Sequence, residues 1–386
     1  MPHYQRAGDV PAKRHTLARR GDGYLHEELV GAEGFSEESS LLYHLHSPSA
    51  IVAVEALPGS ADCRGGFRHD LPLEPRHLRS WMLEPEGDPV TGRHSLLAND
   101  DLEIAFSAAD STSPLYRSAM GDELTYVQSG SAVLHSAFGP LPVGPGDYVV
   151  VPAGVTHQWE PAGTLNALVI QARGHIGIPP KYLTPRGQLG EGAPFTERDI
   201  RLPGPPDQHE DNDVPVLVRT AGGLTRMIHA HHPFDVVGWD GCLYPFALSI
   251  RDFEPIVGSL HQPPPVHQTF SGPGLAVCSF VPRPFDFHPD AVKIPYHHSN
   301  VDCDEILFYS AGDSMSRSGS GIRAGSLSYH PAGFVHGPQP GSLDASMDKD
   351  RTEETAVMID TFRPLMVSDA ARAISDPDYP ASWLGR

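Results

Sequence analysis

The chain has few cysteines, few basic residues and no long apolar run, and each shortage argues against a class of protein. Its four cysteines, at positions 63, 242, 278 and 303, form no CxxC pair, which disfavours a disulfide framework and a thiolate zinc site. Lys and Arg total 28 against 48 Asp and Glu, and the net charge of −20 would repel nucleic acid and anionic membranes. Because no stretch of about 18 apolar residues occurs, a membrane-spanning helix is not expected. These features predict a cytoplasmic protein.

Glycine and proline, in contrast, are abundant. The 386 residues include 38 glycines and 39 prolines, and 39% of the chain is hydrophobic. This length suffices for two compact domains, and the composition favours many turns and few helices. We therefore predict an all-β-dominated protein with long Pro/Gly-rich loops and few short helices.

Two histidines and one acid near the C-terminus have a spacing typical of a metal site. His298 precedes Glu305 by seven residues, and His336 follows the stretch 330–335. Two imidazoles and one carboxylate can occupy one face of an octahedral ferrous ion and leave positions open for substrate and dioxygen. Zinc could use the same ligands. The open facial arrangement and the absence of a thiolate set favour Fe(II).

Local sequence around these residues explains how they could meet. The run 305–309 (EILFY) predicts a strand, whose alternation sends Glu305, Leu307 and Tyr309 to one face. The run 331–333 (PAG) predicts a turn, since proline fixes one dihedral angle and Gly333 permits a positive one. The turn would direct His336 back towards Glu305.

The spacing of acid, glycines and last histidine resembles the two consecutive motifs of the cupin barrel, and it occurs twice. The earlier copy has Glu123 and His157, but Tyr116 stands where the later copy has its first histidine. Two ligands rarely hold a metal against water. We therefore predict two jelly-roll-like cupin barrels, a bicupin: residues 1–185 as an N-terminal cupin-like domain with a degenerate metal site, 186–230 as a linker or crossover, and 231–386 as the catalytic domain.

Several segments resemble homogentisate 1,2-dioxygenase. They include 232–241 (HPFDVVGWDG), 295–298 (PYHH) and 24–29 (YLHEEL), and the likeness extends over most of the chain. The resemblance implies that His298, Glu305 and His336 bind Fe(II) and that His261 accepts a proton from the substrate. It also implies a small aromatic acid and O2 as substrates, and assembly into trimers or hexamers.

Further pocket residues are expected. His330 matches a pocket histidine of the same family, and the chemistry of the site makes His297, His330 and Tyr296 candidate hydrogen-bond donors to the substrate. Two alternatives stay open. His267 competes with His261 as the base, and Tyr296 could serve packing alone.

The chain also departs from the family pattern. It has one additional residue between the first ligand and Glu305, and it has Asp313-Ser314 where the family places a substrate-contacting tyrosine. The leading hypothesis is cleavage of homogentisate to maleylacetoacetate in tyrosine and phenylalanine catabolism. The alternatives are a related cupin dioxygenase acting on gentisate or another para-dihydroxy aromatic, a cupin isomerase of phosphorylated sugars, and a metal-poor binding bicupin.

Overall fold

Strands dominate the regular structure in the computed structural model, which describes residues 3–57, 66–317 and 319–385. Between residues 5 and 172 the strands are β1 (Gln5–Gly8), β2 (Arg19–Arg20), β3 (Gly23–Tyr24), β4 (His26–Gly31), β5 (Ser39–His44), β6 (Ile51–Ala56), β7 (Arg76–Arg79), β8 (His94–Ala98), β9 (Leu102–Ala109), β10 (Leu115–Ser118), β11 (Glu123–Ser129), β12 (Ala132–Ser136), β13 (Leu141–Val143), β14 (Asp147–Val151), β15 (His157–Pro161) and β16 (Leu165–Ala172).

The later strands are β17 (Ile200–Arg201), β18 (Asn212–Thr220), β19 (Gly223–His231), β20 (Val236–Gly241), β21 (Phe246–Ser249), β22 (Gln268–Gly272), β23 (Leu275–Phe280), β24 (Arg283–Pro284), β25 (Asp304–Ala311), β26 (Ser326–His330), β27 (Arg351–Thr352), β28 (Thr355–Thr361) and β29 (Met366–Val367). The α-helices are α1 (Ser342–Ser346) and α2 (Asp369–Ile374). Short 3-10 helices cover Glu33–Phe35, Ser80–Met82, Pro180–Tyr182, Glu197–Asp199, Ile250–Asp252, Pro264–His267, Met315–Arg317 and Tyr379–Leu384. The predicted all-β class with few short helices is confirmed.

Three large sheets organise the chain. A seven-stranded sheet has the order β13-β12-β15-β10-β18-β19-β6, and an eight-stranded sheet has the order β17-β21-β14-β11-β16-β9-β8-β29. A six-stranded sheet, β22-β23-β28-β25-β26-β7, carries most of the C-terminal half. A smaller sheet, β1-β20-β5-β4, joins the N-terminal segment to the middle of the chain.

Aromatic side chains pack the eight-stranded sheet against the six-stranded one. The ring of Phe308 lies 6.0 Å from that of Phe106 and 6.1 Å from that of Tyr126. The hydroxyl of Tyr126 donates to Ser310 Oγ at 2.8 Å, so this buried polar group is satisfied. The buried apolar residues of both halves consequently form one continuous core.

Strands exchanged between the two halves tie them together. β7, from the first quarter of the chain, pairs with β26, while β29 pairs with β8. The division at residues 185 and 230 stays a prediction. Inside the segment predicted as a linker, however, β18 and β19 form an antiparallel hairpin, and β18 also pairs in parallel with β10. Residues 212–230 are therefore part of a sheet and not a surface crossover.

The turn predicted at 331–333 has the expected geometry. Gly333 has a φ of 79°, in the left-handed region that glycine adopts without strain, and its N–H donates to Asn300 O at 2.8 Å. Gly154 has a φ of 82° at the equivalent turn of the earlier copy. The repeated motif therefore produces the same backbone reversal in both halves.

Two other features bear on the sequence-based expectations. In the described parts of the chain, no helix is both long and apolar enough to span a membrane. Cys242, Cys278 and Cys303 are free thiols, and Cys63 lies outside the described residues.

Candidate metal centre and substrate cavity

His298, Glu305 and His336 converge on one point. β25 carries Glu305, and an isolated antiparallel bridge joins His298 to His336 through backbone hydrogen bonds of 2.8 and 2.9 Å. His298 Nε2 lies 3.4 Å from Glu305 Oε2, and His336 Nε2 lies 3.3 Å from Glu305 Oε1. One donor atom from each of the three lies within 4.8 Å of the other two. The local backbone thus brings together the three residues that the sequence predicted as ligands.

The hydrogen bonds of the two imidazoles fit a bound metal ion. Each Nδ1 lies next to a backbone carbonyl, 3.1 Å from Tyr296 O for His298 and 3.0 Å from Phe334 O for His336. If each Nδ1–H donates to its carbonyl, the Nε2 lone pairs face the Glu305 carboxylate. The buried Nε2 of His336 has no hydrogen-bond partner. A divalent metal ion between these lone pairs and the carboxylate would satisfy both, and it matches this donor set.

Two acidic side chains, Glu305 and Asp360, determine the negative charge of the candidate site. Burial favours the neutral acid, but the adjacent imidazoles of His298, His330 and His336 hold the pKa of Glu305 well below its usual value. Burial, together with the charge of Glu305, raises the pKa of the neighbouring Asp360 to about 7. Glu305 is therefore the anionic member of the candidate ligand group, and Asp360 is the weaker acid beside it.

A cavity of about 400 Å³ opens beside the ligands His298 and Glu305. Leu307 also lines it, so the predicted alternation of β25 places Glu305 and Leu307 on the same face. Ile306 and Phe308, on the other face, are fully buried in the core. A cavity of this size can enclose a single aromatic ring with its substituents.

His261 and His267 both line this cavity, but in different environments. His261 is partly exposed, its Nδ1 lies 4.0 Å from Asp286 Oδ2, and burial lowers its pKa. His267 is 4% exposed and packs on Phe280, and burial followed by the charge of Arg283 lowers its pKa to about 3. A base must accept a proton from a substrate, so the more basic and more accessible His261 is better suited to that role.

Tyr296 and His297 point to different places. Tyr296 lines the cavity, with its ring 5.2 Å from that of His261 and nearly perpendicular to it. His297 is exposed and lies in a neighbouring surface groove with Val335 and Trp383. The structure therefore places Tyr296 beside the predicted base and His297 outside the cavity, because adjacent residues of an extended segment face opposite sides.

His330 is fully buried behind the ligands and does not line the cavity. Its Nδ1 lies 3.1 Å from Glu305 Oε1, and its Nε2 lies 3.0 Å from the hydroxyl of Tyr379. Its ring stacks on that of His336 at 4.2 Å, and burial lowers its pKa to about 3. Both ring nitrogens of His330 have hydrogen-bond partners within the protein. His330 therefore contacts Glu305, a candidate metal ligand, and does not reach the cavity.

Two arginines at the cavity were not predicted as site residues. Arg283 and Arg317 line it, and Arg317 is 6% exposed. Arg317 donates to Tyr309 Oη and to Gly337 O, and within the described ranges no carboxylate oxygen lies within 4.0 Å of either guanidinium. A buried cation without an anionic partner is costly. Sequence spacing gave no signal for these residues, because their positions depend on loops folding over the sheet.

The equivalent position in the N-terminal half is filled by a salt bridge. Arg93 donates to both carboxylate oxygens of Glu123, at 2.7 and 3.0 Å, and both side chains are buried. Burial raises the pKa of a carboxyl group, but Arg93 keeps the pKa of Glu123 low. The ring of Tyr116 lies against that of His157 at 5.4 Å. The guanidinium thus uses both oxygens that a metal would need.

A second group of possible ligands lies at the surface. His209, Asp211 and His232 bring their donor atoms within 4.8 Å of one another, and two of the three are exposed. The two imidazoles are stacked 4.6 Å apart, with their ring planes inclined by 22°. The backbone N–H of Phe234 also donates to His232 Nδ1. This arrangement fits a metal ion less well than the buried group does.

The segment 232–241, the most specific of the sequence signals, lies away from the cavity. Asp235 accepts hydrogen bonds from His44 Nδ1 at 2.6 Å and from the backbone N–H of His46 at 2.8 Å. The indole of Trp239 donates to Phe138 O at 2.9 Å. These bonds fasten β20 to β5 and to the N-terminal half, which gives the segment a structural role.

His44 lies at the centre of this region, and we expect its charge to make stability depend on pH. Burial opposes the charge, but hydrogen bonds to Asp235 and Glu28 raise the pKa of His44 to about 9 from its usual 6.5. The raised pKa contributes about 3 kcal/mol of stability that is present below about pH 6.5 and is lost as the pH rises through about 9. His44→Gln should therefore lower the free energy of unfolding by about 3 kcal/mol at about pH 6, and by much less at about pH 10.

Urea denaturation of both proteins across this pH range measures the effect. His135→Gln is the matched control, because the His135–Glu160 contact is partly exposed and should contribute little. A His44→Gln difference that stays constant between about pH 6 and about pH 10 would contradict the assignment of a charged His44.

Comparisons with known proteins identify relatives of this chain. The family model for the homogentisate 1,2-dioxygenase N-terminal region matches residues 90–250. A protein from Saccharolobus solfataricus that carries the provisional name of a dioxygenase is 40% identical over 99% of both chains. A homogentisate 1,2-dioxygenase from Rhodopseudomonas palustris is 26% identical over 98% of this chain and 90% of its own.

A solved structure from Leptotrichia buccalis, described as a cupin 2 conserved barrel domain protein, is also similar. It covers 74% of this chain and 96% of its own at 10% identity, with a TM-score of 0.37. The relatives match this chain over nearly its whole length and bear out the predicted dioxygenase class. The chain belongs to the homogentisate 1,2-dioxygenase family.

Proposed function

We propose that this chain is an Fe(II)-dependent ring-cleaving dioxygenase that converts homogentisate and O2 to maleylacetoacetate, a step in tyrosine and phenylalanine catabolism. The observation that carries the proposal is the convergence of His298, Glu305 and His336 beside an aromatic-sized cavity. Two imidazoles and one carboxylate favour Fe(II) and leave coordination positions open for substrate and dioxygen. When bound, the iron would activate dioxygen and make a ring hydroxyl more acidic.

His261 would take the proton of that hydroxyl. Its lowered pKa keeps the imidazole neutral near pH 7, which is the form that accepts a proton. Because Asp286 faces Nδ1, the Nε2 atom would act as the acceptor, and the nearby carboxylate would stabilise the resulting cation. Tyr296 packs edge-on against His261 and limits its rotation.

Apolar side chains would hold the ring of the substrate. Phe280, Leu307 and Met358 line the cavity together with the predicted ligands and base. They exclude water from the reacting ring and fix its plane, and orientation of this kind supplies a large part of the rate enhancement in such reactions. The side-chain carboxylate of the substrate would then need a cation inside the same cavity.

Arg317 is the guanidinium best suited to that carboxylate. It is almost fully buried, and burial raises the pKa of the nearby Glu354, so that this acid does not neutralise the arginine. We expect Arg317→Met to raise KM for homogentisate about 10- to 100-fold, because a hydrogen bond to a charged group is worth about 1.5–3 kcal/mol. The KM for methylhydroquinone, which lacks the carboxylate, should change little.

Steady-state oxygen consumption with the two substrates measures this difference. Arg323→Met is the control variant, because Arg323 lies over Trp81 and does not line the cavity. Equal increases in KM for both substrates would contradict a carboxylate contact at Arg317.

Anaerobic addition of homogentisate to the Fe(II) protein, followed by oxygen, tests the function directly. We expect the absorbance of the ring-opened product to appear only after oxygen is admitted, with one O2 consumed per substrate.

Gentisate and hydroquinone are tested in the same way. Turnover of gentisate alone would assign the chain to a related dioxygenase, which the loss of the family's tyrosine at Asp313-Ser314 makes the second candidate. Binding of the acid without oxygen consumption would instead indicate a binding bicupin.

An isomerase of phosphorylated sugars would need several cationic side chains to bind the phosphate group. Lys293 is the lysine that lines the cavity, and its ammonium group donates to the backbone carbonyls of Met347 and Lys349. That leaves Arg283 and Arg317 as the unpaired cations among the described cavity residues, and a planar carboxylate suits a single guanidinium. The dioxygenase is therefore the better-supported proposal.

We also propose that the chain forms a homo-oligomer, a trimer or hexamer. β6 is the edge strand of the seven-stranded sheet, and it exposes Ile51, Val52 and Val54, the last two by 59% and 61%. An exposed apolar edge strand is a common site of association. Light scattering of the purified protein measures its mass, and a monomer would contradict this proposal.

A further inference from the structure

A hydrogen-bonded chain of three side chains begins at Glu305 and leads away from the cavity. His330 lies 3.1 Å from Glu305 through Nδ1 and 3.0 Å from Tyr379 Oη through Nε2. All three residues are buried, with at most 5% of their surface exposed. Tyr379 therefore reaches the anionic residue of the metal centre through a single intermediate group.

The direction of the hydrogen bonds in this chain is determined by chemistry. A carboxylate only accepts hydrogen bonds, so Nδ1 of His330 must carry the proton that points at Glu305. In the neutral imidazole Nε2 is then an acceptor, and it receives the O–H of Tyr379. Burial raises the pKa of Tyr379, so the hydroxyl keeps the proton that it donates.

The backbone around Tyr379 holds its hydroxyl in place. The 3-10 helix Tyr379–Leu384 is anchored by Trp383 Nε1, which donates to Gly337 O at 3.0 Å, and by Ser382, which accepts a bond from Gln339 at 2.9 Å. The ring of Tyr379 also packs 5.1 Å from that of Trp383. The C-terminal segment is thus fastened to the residues that directly follow His336.

We propose that Tyr379 is a positioning residue of the metal centre: by holding His330 in the Nδ1–H tautomer, it orients Glu305 for metal binding. This inference rests on the proposed function. Without the Tyr379 hydroxyl, His330 can adopt the other tautomer, and an Nδ1 lone pair would then repel the Glu305 carboxylate. A direct hydrogen-bond partner of a metal ligand typically contributes about 10- to 100-fold to metal affinity. His330 is that partner for Glu305, and Tyr379 acts through His330.

Metal affinity, measured independently of turnover, tests the proposal. Tyr379→Phe removes only the hydroxyl, and metal-free protein is titrated with Co²⁺ while its visible absorption is followed. We expect the Kd to increase about 10-fold or more, with a changed Co²⁺ spectrum. Tyr126→Phe is the matched control, because it removes another buried hydroxyl, bonded to Ser310, without a path to Glu305.

A double-mutant cycle separates positioning from general loss of stability. His330→Asn retains an N–H that can reach Glu305 but loses the contact with Tyr379. Adding Tyr379→Phe to His330→Asn should therefore weaken Co²⁺ binding by less than twofold. Additive effects, or a Tyr379→Phe Kd within twofold of the Tyr126→Phe value, would overturn the positioning role. Failure of the unmodified protein to bind Co²⁺ or Fe²⁺ would instead contradict the proposed function.

Discussion

Glu305→Gln should abolish both metal binding and oxygen consumption. The amide has nearly the shape of the carboxylate, but it carries no negative charge and is a poor ligand. Four-ligand protein sites bind zinc with about 10–16 kcal/mol, or about 2.5–4 kcal/mol per ligand, so loss of one ligand should weaken metal binding about 100- to 1000-fold. Turnover should fall by at least as much, because the two remaining histidines cannot retain the metal during dialysis.

Metal analysis after dialysis, together with oxygen consumption, measures these losses. Glu354→Gln is the matched control for metal content, since Glu354 lines the same cavity and burial raises its pKa towards the neutral form that glutamine imitates. The control should retain its iron. Full metal content in Glu305→Gln would show that Glu305 is not a ligand.

Arg93→Met should lower the free energy of unfolding by about 3–5 kcal/mol, because the substitution leaves the buried Glu123 carboxylate without its partner. Both side chains are at most 5% exposed, so water cannot replace the lost contacts. Methionine fills most of the same volume, which limits the contribution of a cavity. Urea denaturation followed by tryptophan fluorescence measures the change.

Two further variants separate the charge effect from a packing effect. Arg93→Met combined with Glu123→Gln removes both charges and should recover much of the lost stability. Arg226→Met breaks an exposed pair with Glu55 and should cost no more than about 1 kcal/mol. If Arg93→Met costs as little as Arg226→Met, the Arg93–Glu123 pair does not hold the first barrel together.

Much of the metal centre could be predicted because its determinants are local. Glu305 and Leu307 share a face by strand alternation, and the turn at Gly333 returns the chain towards Glu305, as the structure shows. His298 and His336 then meet through one backbone bridge. The first two steps depend on neighbouring residues. The bridge joins residues that are far apart in the chain, and the spacing of the repeated motif predicted it.

The groups behind and around the centre could not be predicted in the same way. Tyr379 lies 49 residues from His330 along the chain, and Arg93 lies 30 residues before Glu123. No periodicity links such pairs, because they meet through strand exchange and the docking of the C-terminal segment. We expected His330 and His297 in the substrate pocket, but His330 lies behind the candidate ligands and His297 lies at the surface.

The order of residues alone determined the β-rich class, the repeated motif and the three candidate ligands, because alternation and tight turns are short-range properties of the backbone. Only the tertiary structure decided which charges are paired. Glu123 forms a salt bridge with Arg93, whereas Glu305 lies next to three histidines. Arg317 lines the cavity and has no carboxylate partner among the described residues. Burial decides these electrostatic outcomes, and burial exists only after distant strands have packed together.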